Sequence, residues 1–151
     1  KILLFSQFTS MLSIIEKRLK KEKLDYYMLT GATPAKERMQ MAAAFKRDQV
    51  PIFLISLKAG GTGLNLEAAD MVILYDPWWN AAAESQAADR AHRIGQENQV
   101  TVFKLITKHT IEENILKLQE QKRMLADSVV AGVGGSFAGL TKEELLKVLG
   151  E

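Results

Sequence analysis

The sequence predicts an α/β fold, a parallel sheet wrapped by helices. Three observations carry this expectation. Short, nearly continuous apolar runs recur at Ile2 to Phe5, Ile52 to Ile55 and Met71 to Tyr75. Such runs are typical of strands covered on both faces. Between them lie segments whose apolar residues recur at helical spacing. The two patterns alternate along the chain, which is the signature of a parallel sheet flanked by helices. Right-handed crossovers, with ligands at the carboxyl ends of the strands, follow as expectations.

Ile2 to Phe5 is the first predicted strand. Leu12, Ile15 and Leu19 then share a helix face, with Glu16, Lys17, Lys20 and Lys21 opposite. Leu24 to Leu29 reads as the second strand. Thr33 is expected to cap the next helix, with Pro34 at its first position. That helix runs to about Arg47 and buries Met41 and Phe45. Ile52 to Ile55 and Met71 to Tyr75 are the third and fourth strands. An alanine-rich segment follows, and alanine is the best helix former. It predicts one helix from Asn80, as N-cap, to about Ile94, stopped by Gly95. The fifth strand is expected at about Val100 to Ile106. Thr110-x-x-Glu113 is a capping box that opens a helix to about Leu125. Asp127 to Leu140 contains four glycines and reads as a mobile linker. A second capping box, Thr141-x-x-Glu144, starts a short terminal helix with Leu145, Leu146 and Leu149. The domain plan is therefore 1–126 as the α/β lobe, 127–140 as linker and 141–151 as terminal helix.

A chain of 151 residues, 47% of them apolar, is long enough for one domain with a real core. No apolar run approaches a membrane span. No signal peptide precedes the first strand, and a start at Lys1 without methionine suggests a piece of a longer protein. There is no cysteine, hence no disulfide framework and no thiolate metal site. A net charge of +2 argues neither for nor against nucleic acid, so a DNA-binding surface must come from local clustering.

Two stretches carry chemistry. Arg90 and Arg93 lie three apart on the predicted alanine-rich helix and so share a face. Two guanidiniums held together repel, and their forked donors suit a phosphate. A pair of solvated surface arginines is the bland alternative. Gln86, four residues before Arg90, falls on the same face. His92 has no acidic partner at metal spacing and reads as a packing residue. The second stretch is Lys58-Ala-Gly-Gly-Thr-Gly63-Leu-Asn65, after the third strand. Three glycines in four residues allow close approach of backbone to a ligand and an anion nest, with Lys58 and Thr62 as added contacts. A tight structural turn is the competing reading. A dinucleotide fingerprint, with Asp76 as its acid, fails: Leu66 stands where the third glycine belongs, and little room remains for the helix. Paired Trp78 and Trp79 are usually core or interface residues.

Four strings resemble the SWI/SNF family of helicase-like DNA translocases, within helicase superfamily two. Gln86 to Gln96, QAADRAHRIGQ, resembles motif VI. Ser56 to Asn80, SLKAGGTGLNLEAADMVILYDPWWN, resembles motif V and the segment after it. Lys1 to Phe8, KILLFSQF, is similar to motif IV, and Leu29 to Phe45 to the segment between. They stand in the family order over roughly two-thirds of the chain.

The resemblance implies a RecA-like, P-loop-NTPase-like lobe with a C-terminal helical extension. It implies Arg90 and Arg93 as catalytic arginine fingers, and Gly63, Asn65 and Gln86 on the nucleotide. It implies Gln7, Thr30, Gly31, Lys58, Thr62 and Trp79 on double-stranded DNA. Thr33 can cap, hold a phosphate, or both; Arg38 reads more as a tie between helix and loop than as a phosphate ligand. Trp78 stands where many members lack an aromatic residue, and its role is open. ATP is the implied cofactor. No GxxxxGK[ST] string and no DExH-like acidic cluster are present, so this chain alone is not expected to hydrolyse it. The P-loop and the Mg²⁺ carboxylate are expected on an N-terminal RecA-like lobe of the same parent chain, a DNA-dependent ATPase. An intracellular location and no membrane partner follow. The alternative is a non-catalytic DNA- or protein-docking module derived from such a lobe; a nucleotide-cofactor enzyme is disfavoured, and strand separation is the runner-up to translocation.

Overall fold

The computed structural model describes residues 1–60, 64–76, 84–86, 89, 91 and 99–130. Five strands form one sheet: β1 (Ile2–Ser6), β2 (Tyr26–Leu29), β3 (Ile52–Ser56), β4 (Met71–Leu74) and β5 (Thr101–Lys104). Their order is β2-β3-β1-β4-β5 and every pairing is parallel. Two compact units divide the chain at 106/107. The sheet belongs to the first.

Strict alternation along the strands sorts the core onto two faces. Leu3, Phe5, Leu29, Phe53 and Ile55 pack with Ala42 and Phe45 of α2 (Ala35–Arg47). Leu4, Met28, Ile52 and Leu54 pack with Leu12 and Leu19 of α1 (Thr9–Lys21). The apolar runs were continuous because both faces of the sheet are covered. On the α2 face, Phe45 and Phe53 meet edge-on at 5.3 Å between ring centres, and Tyr27 leans on Phe53 at 5.6 Å. Such pairs add about 1 kcal/mol beyond simple burial.

Several predicted boundaries move. β2 starts at Tyr26, not Leu24. Lys23 adopts φ 57° and closes α1: Leu24 N–H donates to Leu19 O at 3.0 Å and Lys23 N–H to Lys20 O at 3.2 Å. This is a Schellman cap with lysine in the seat usually held by glycine, so the stop signal was hidden. α2 starts at Ala35, preceded by Pro34, without a side-chain cap. The Thr33 hydroxyl instead accepts from Thr30 N–H. β5 is shorter than predicted, and as an edge strand it leaves Val102 and Phe103 nearly half exposed.

In the second unit a helix, Ile111–Val130, passes the expected end at Leu125, since the first glycine comes only at Gly132. Thr110 caps it, but through the Glu112 amide at 3.2 Å. The carboxylate that turns back is that of Glu112, accepting from Thr107 N–H at 2.6 Å, rather than that of Glu113. The rest of the predicted linker and the 141–151 helix lie outside the described residues. So does most of the predicted helix Asn80 to Ile94, of which 84–86 are helical, while Asp89, whose N–H bonds Ser85 O at 2.9 Å, and Ala91 lie in turns rather than in helix. Among the described residues no helix is long and apolar enough to cross a membrane.

At the amino edge of the sheet the Tyr27 hydroxyl donates to the Asp48 carboxylate. This bond holds Asp48 below the ordinary carboxylate range, with Val50 N–H and Lys1 adding to it. A depressed folded-state pKa contributes stability above the unfolded value, lost as pH falls through the folded one. Replacing Tyr27 by Phe is therefore expected to raise the Asp48 titration midpoint and to move acid destabilisation to higher pH. Carbonyl NMR titration of both proteins checks this; an unmoved midpoint would refute it.

Candidate functional site at the carboxyl edge of the sheet

β1 and β4 are neighbours, yet the chain leaves β1 toward β2 and leaves β4 toward β5. Such a switch point opens a crevice at the carboxyl ends of the two strands. Asp76 occupies it with only 6% of its surface exposed. A carboxylate accepts hydrogen bonds only, and a buried one needs donors. Its Oδ2 accepts from the Ser6 hydroxyl at 2.5 Å and its Oδ1 from Gln7 N–H at 2.8 Å. Ser6 Oγ in turn accepts from Phe8 N–H at 3.1 Å. Tyr75 N–H extends the ladder to Phe5 O at 2.9 Å. One side chain thus fixes the loop after β1 to the end of β4. In the sequence Asp76 was given no role of its own beyond a failed dinucleotide acid; its useful signal was an acid at one strand end and a serine at the end of another.

The loop after β2 is braced separately. Thr30 and Thr33 exchange two bonds, Thr30 N–H to Thr33 Oγ1 and Thr33 N–H to Thr30 O, both at 3.1 Å. Arg38 reaches from α2 and donates to Thr33 O at 2.7 Å and Gly31 O at 3.0 Å. Its fork ties helix to loop. Gly31 is exposed, and a Cβ placed there would meet nothing within 4 Å. Internal crowding therefore does not demand glycine at this position. Lys58 lies exposed on a single helical turn, α3 (Leu57–Gly60), straight after β3. Ser56 Oγ accepts from Ala59 N–H at 3.3 Å and starts that turn. Thr30 and Gly31, Lys58, and Gln7 thus follow three adjacent strands, β2, β3 and β1, along one edge.

The nucleotide candidates are more scattered. Asn65 donates from its amide to Glu67 at 3.0 Å, and Glu67 pairs with Lys46 in the last turn of α2. That turn lies at the opposite, amino edge, where Lys1 Nζ donates to Asp48 O at 2.6 Å. Asn65 therefore stands apart from the other candidates. Gln86 is exposed. Two residues before it, Glu84 is 4% exposed and pairs with Lys104 at 2.5 Å. Ala91 is fully buried in the α2-side core. Gly63, Thr62, Trp79, Arg90 and Arg93 lie outside the described residues. Among those described, no three acidic, histidine or cysteine side chains gather as a metal site. The two buried acids of this edge are engaged, Asp76 by Ser6 and Gln7 and Glu84 by Lys104.

The family profile described as the helicase conserved C-terminal domain matches residues 1–95. This chain belongs to that family. An uncharacterised ATP-dependent helicase of Mycoplasma genitalium is 42% identical over 98% of this chain, which spans 14% of that protein. The human chromatin-remodelling ATPase INO80 is 41% identical over 99% of this chain, which spans 10% of it. The crystal structure of the C-terminal part of the Fun30 ATPase domain superposes with a TM-score of 0.75 and 43% identity, over 78% of this chain and 38% of that one. The helicase C-terminal domain is thus RecA-like, and the SWI/SNF-type resemblance carried by its motifs is borne out.

Removing the Asp76 side chain takes the acceptor from the part-buried Gln7 N–H and leaves the buried Ser6 hydroxyl only Phe8 O at 3.2 Å; an unsatisfied buried donor costs about 1–3 kcal/mol. Asp76→Ala is expected to destabilise the domain by about 2 kcal/mol. Asp76→Asn keeps an acceptor for Gln7 and should cost less than half as much. Urea unfolding measures both, and equal losses would show that the clamp is not what Asp76 contributes.

Proposed function

We propose that this helicase C-terminal domain is the second motor lobe of an ATP-dependent translocase on double-stranded DNA. The observation that carries the reading is the shared edge. Residues with DNA-binding character follow three adjacent strands, and the β4–β5 connection that bears Arg90 and Arg93 leaves from the switch point beside them. The similarity to ATP-dependent helicases and a chromatin-remodelling ATPase supports it.

In this reading Lys58 and Thr62 hold phosphates of the DNA backbone, with Gln7 and the Thr30-Gly31 backbone beside them and Trp79 near the groove. Gly31, whose missing side chain serves no internal packing, lets a phosphate approach the backbone. Arg90 and Arg93 donate to the charge that develops on the γ-phosphate of ATP, and Gln86 orients them or the nucleotide. Gly63 faces the nucleotide through its backbone; Asn65 reaches it only by releasing Glu67. The facing N-terminal lobe of the parent chain supplies the phosphate-cradling loop and the acid for Mg²⁺, because this sequence has no GxxxxGK[ST] string and no DExH-like acidic cluster. Opening and closing of the lobes advances one grip past the other along the backbone. The working place is wherever the cell keeps its DNA.

Backbone tracking is sequence-independent and salt-sensitive. Lys58→Ala in the parent chain is expected to weaken duplex binding equally on unrelated sequences and to reduce the slope of log affinity against log salt by about one. A sequence-dependent loss would argue against a phosphate contact. The parent chain should hydrolyse ATP in a DNA-stimulated manner, and Arg93→Ala should lower turnover by about a thousandfold while DNA binding persists. Full turnover in that variant would favour the docking-module reading instead.

A further inference from the structure

The end of α1 is strongly basic. Lys17, Arg18, Lys20, Lys21 and Lys23 follow one another closely, and all of them are exposed. Two acids of the same stretch are engaged within it: Arg18 pairs with Glu22 at 2.8 Å and Lys20 with Glu16 at 2.9 Å. The Tyr26 hydroxyl also donates to Glu16, at 2.6 Å. Among the described residues no carboxylate pairs with Lys17, Lys21 or Lys23.

Helical geometry sets these bases beside apolar surface. At about 100° per residue, positions 14, 17 and 21 fall within about 60° of one another. They lie opposite the buried Leu12 and Leu19. Ile14 is 60% exposed on that outer face. Past the helix end a cleft of about 510 Å³ opens, with Lys20, Lys23, Leu24, Asp25 and Val50 in its lining. Leu24 is 45% exposed. The helix dipole favours bases in the last turn, which accounts for Lys20 and Lys21. It does not account for Lys17, and two lysines one turn apart repel. Nor does it account for an isoleucine that faces away from the core.

We propose that this outer face of α1 docks an acidic segment of a partner protein, its carboxylates on Lys17 and Lys21 and its apolar side chains on Ile14 and in the cleft at Leu24. The place is separate from the residues assigned to DNA. α1 runs back from the end of β1 to the start of β2, where Tyr26 is in register with Ile52, the first residue of β3. The basic turn therefore lies at the amino edge, a strand length of about 15 Å from Gln7, Thr30 and Lys58. Composition favours protein over nucleic acid. A duplex presents phosphate at every step, so it would set the exposed Glu22 and Asp25 against like charge. A peptide can place acids and apolar residues in the order that matches isoleucine, lysine, lysine and leucine along this face. Charge complementarity of this kind steers association and rejects wrong partners.

The test uses the parent chain and three labelled peptides: glutamates interrupted by leucines, glutamates alone, and the first peptide with lysine for every glutamate. Fluorescence anisotropy reads affinity, and thermal unfolding checks each variant. The mixed peptide is expected to bind saturably, the glutamate-only peptide several-fold more weakly, and the lysine peptide not at all. Lys17→Gln combined with Lys21→Gln should weaken the mixed peptide on the order of tenfold. Ile14→Ser should weaken the mixed peptide and leave the glutamate-only peptide as before. Duplex affinity and DNA-stimulated ATP hydrolysis should be unchanged in these variants, since all three positions are exposed and remote from the carboxyl edge. No saturable binding of the mixed peptide, equal binding of the mixed and glutamate-only peptides, or unchanged peptide affinity in the double variant overturns the inference. If the double variant does not fold, each single lysine change decides by the same criterion. A double variant that loses duplex affinity assigns the patch to nucleic acid and overturns the inference too. The inference stands apart from the motor reading: Lys58→Ala and Arg93→Ala test that reading and should leave peptide affinity untouched.

Discussion

Two neighbouring parallel strands that send their chains in opposite directions constrain the whole arrangement. β1 pairs with β3 on one side and β4 on the other, so it is the axis of the sheet. The loops after β2, β3 and β1 must gather on one side of that axis, and the β4–β5 connection on the other. No local propensity could produce this division; it follows from strand order alone. The crevice between them needs something to stop the two loop sets from drifting apart. Asp76 does this with two hydrogen bonds to Ser6 and Gln7, and it is worth keeping buried because both oxygens are satisfied.

The edge is built on a contrast between acids that are buried and bases that are not. Asp76 and Glu84 are nearly inaccessible and tied to β1 and β5, while Lys58 and Gln86 project into solvent. Inward acids serve as anchors because each has a partner fixed by a strand. Outward bases and amides leave their donors to water. Arg38 shows the other use of a guanidinium: it donates to the loop carbonyls of Thr33 and Gly31, so these donors serve the fold. The same residue type thus reads as structure when its acceptors belong to the chain and as function when they do not.

The strands and the two-faced core were legible because covered parallel strands must be apolar in sequence, and Phe5, Phe53, Leu54 and Ile55 are all fully buried. Errors arose where one residue replaced the usual signal. Lys23 takes a left-handed conformation that glycine normally announces, so Leu24 was read as strand when it is the last residue of a helix cap. At Thr110 the expected box was right about the cap and wrong about which acid turns back, because Glu112 and Glu113 look alike in sequence. The anchors were illegible for a deeper reason. Ser6 and Asp76 are 70 residues apart, and Glu84 and Lys104 belong to different elements. No periodicity marks a partner that only the tertiary fold brings near. Motifs flag residues close together in the chain; they are mute about partners that only the fold supplies.

That asymmetry shows in the described part of the connection between β4 and β5. Glu84 is buried against Lys104 of β5, and Ala91 is buried in the core on the α2 side. The two contacts differ in kind. Burial of a methyl group is favourable in any orientation that excludes water, whereas a buried carboxylate is tolerated only where its partner stands. Such a contact is therefore specified by the strand that carries the partner, and no string around Glu84 could announce Lys104.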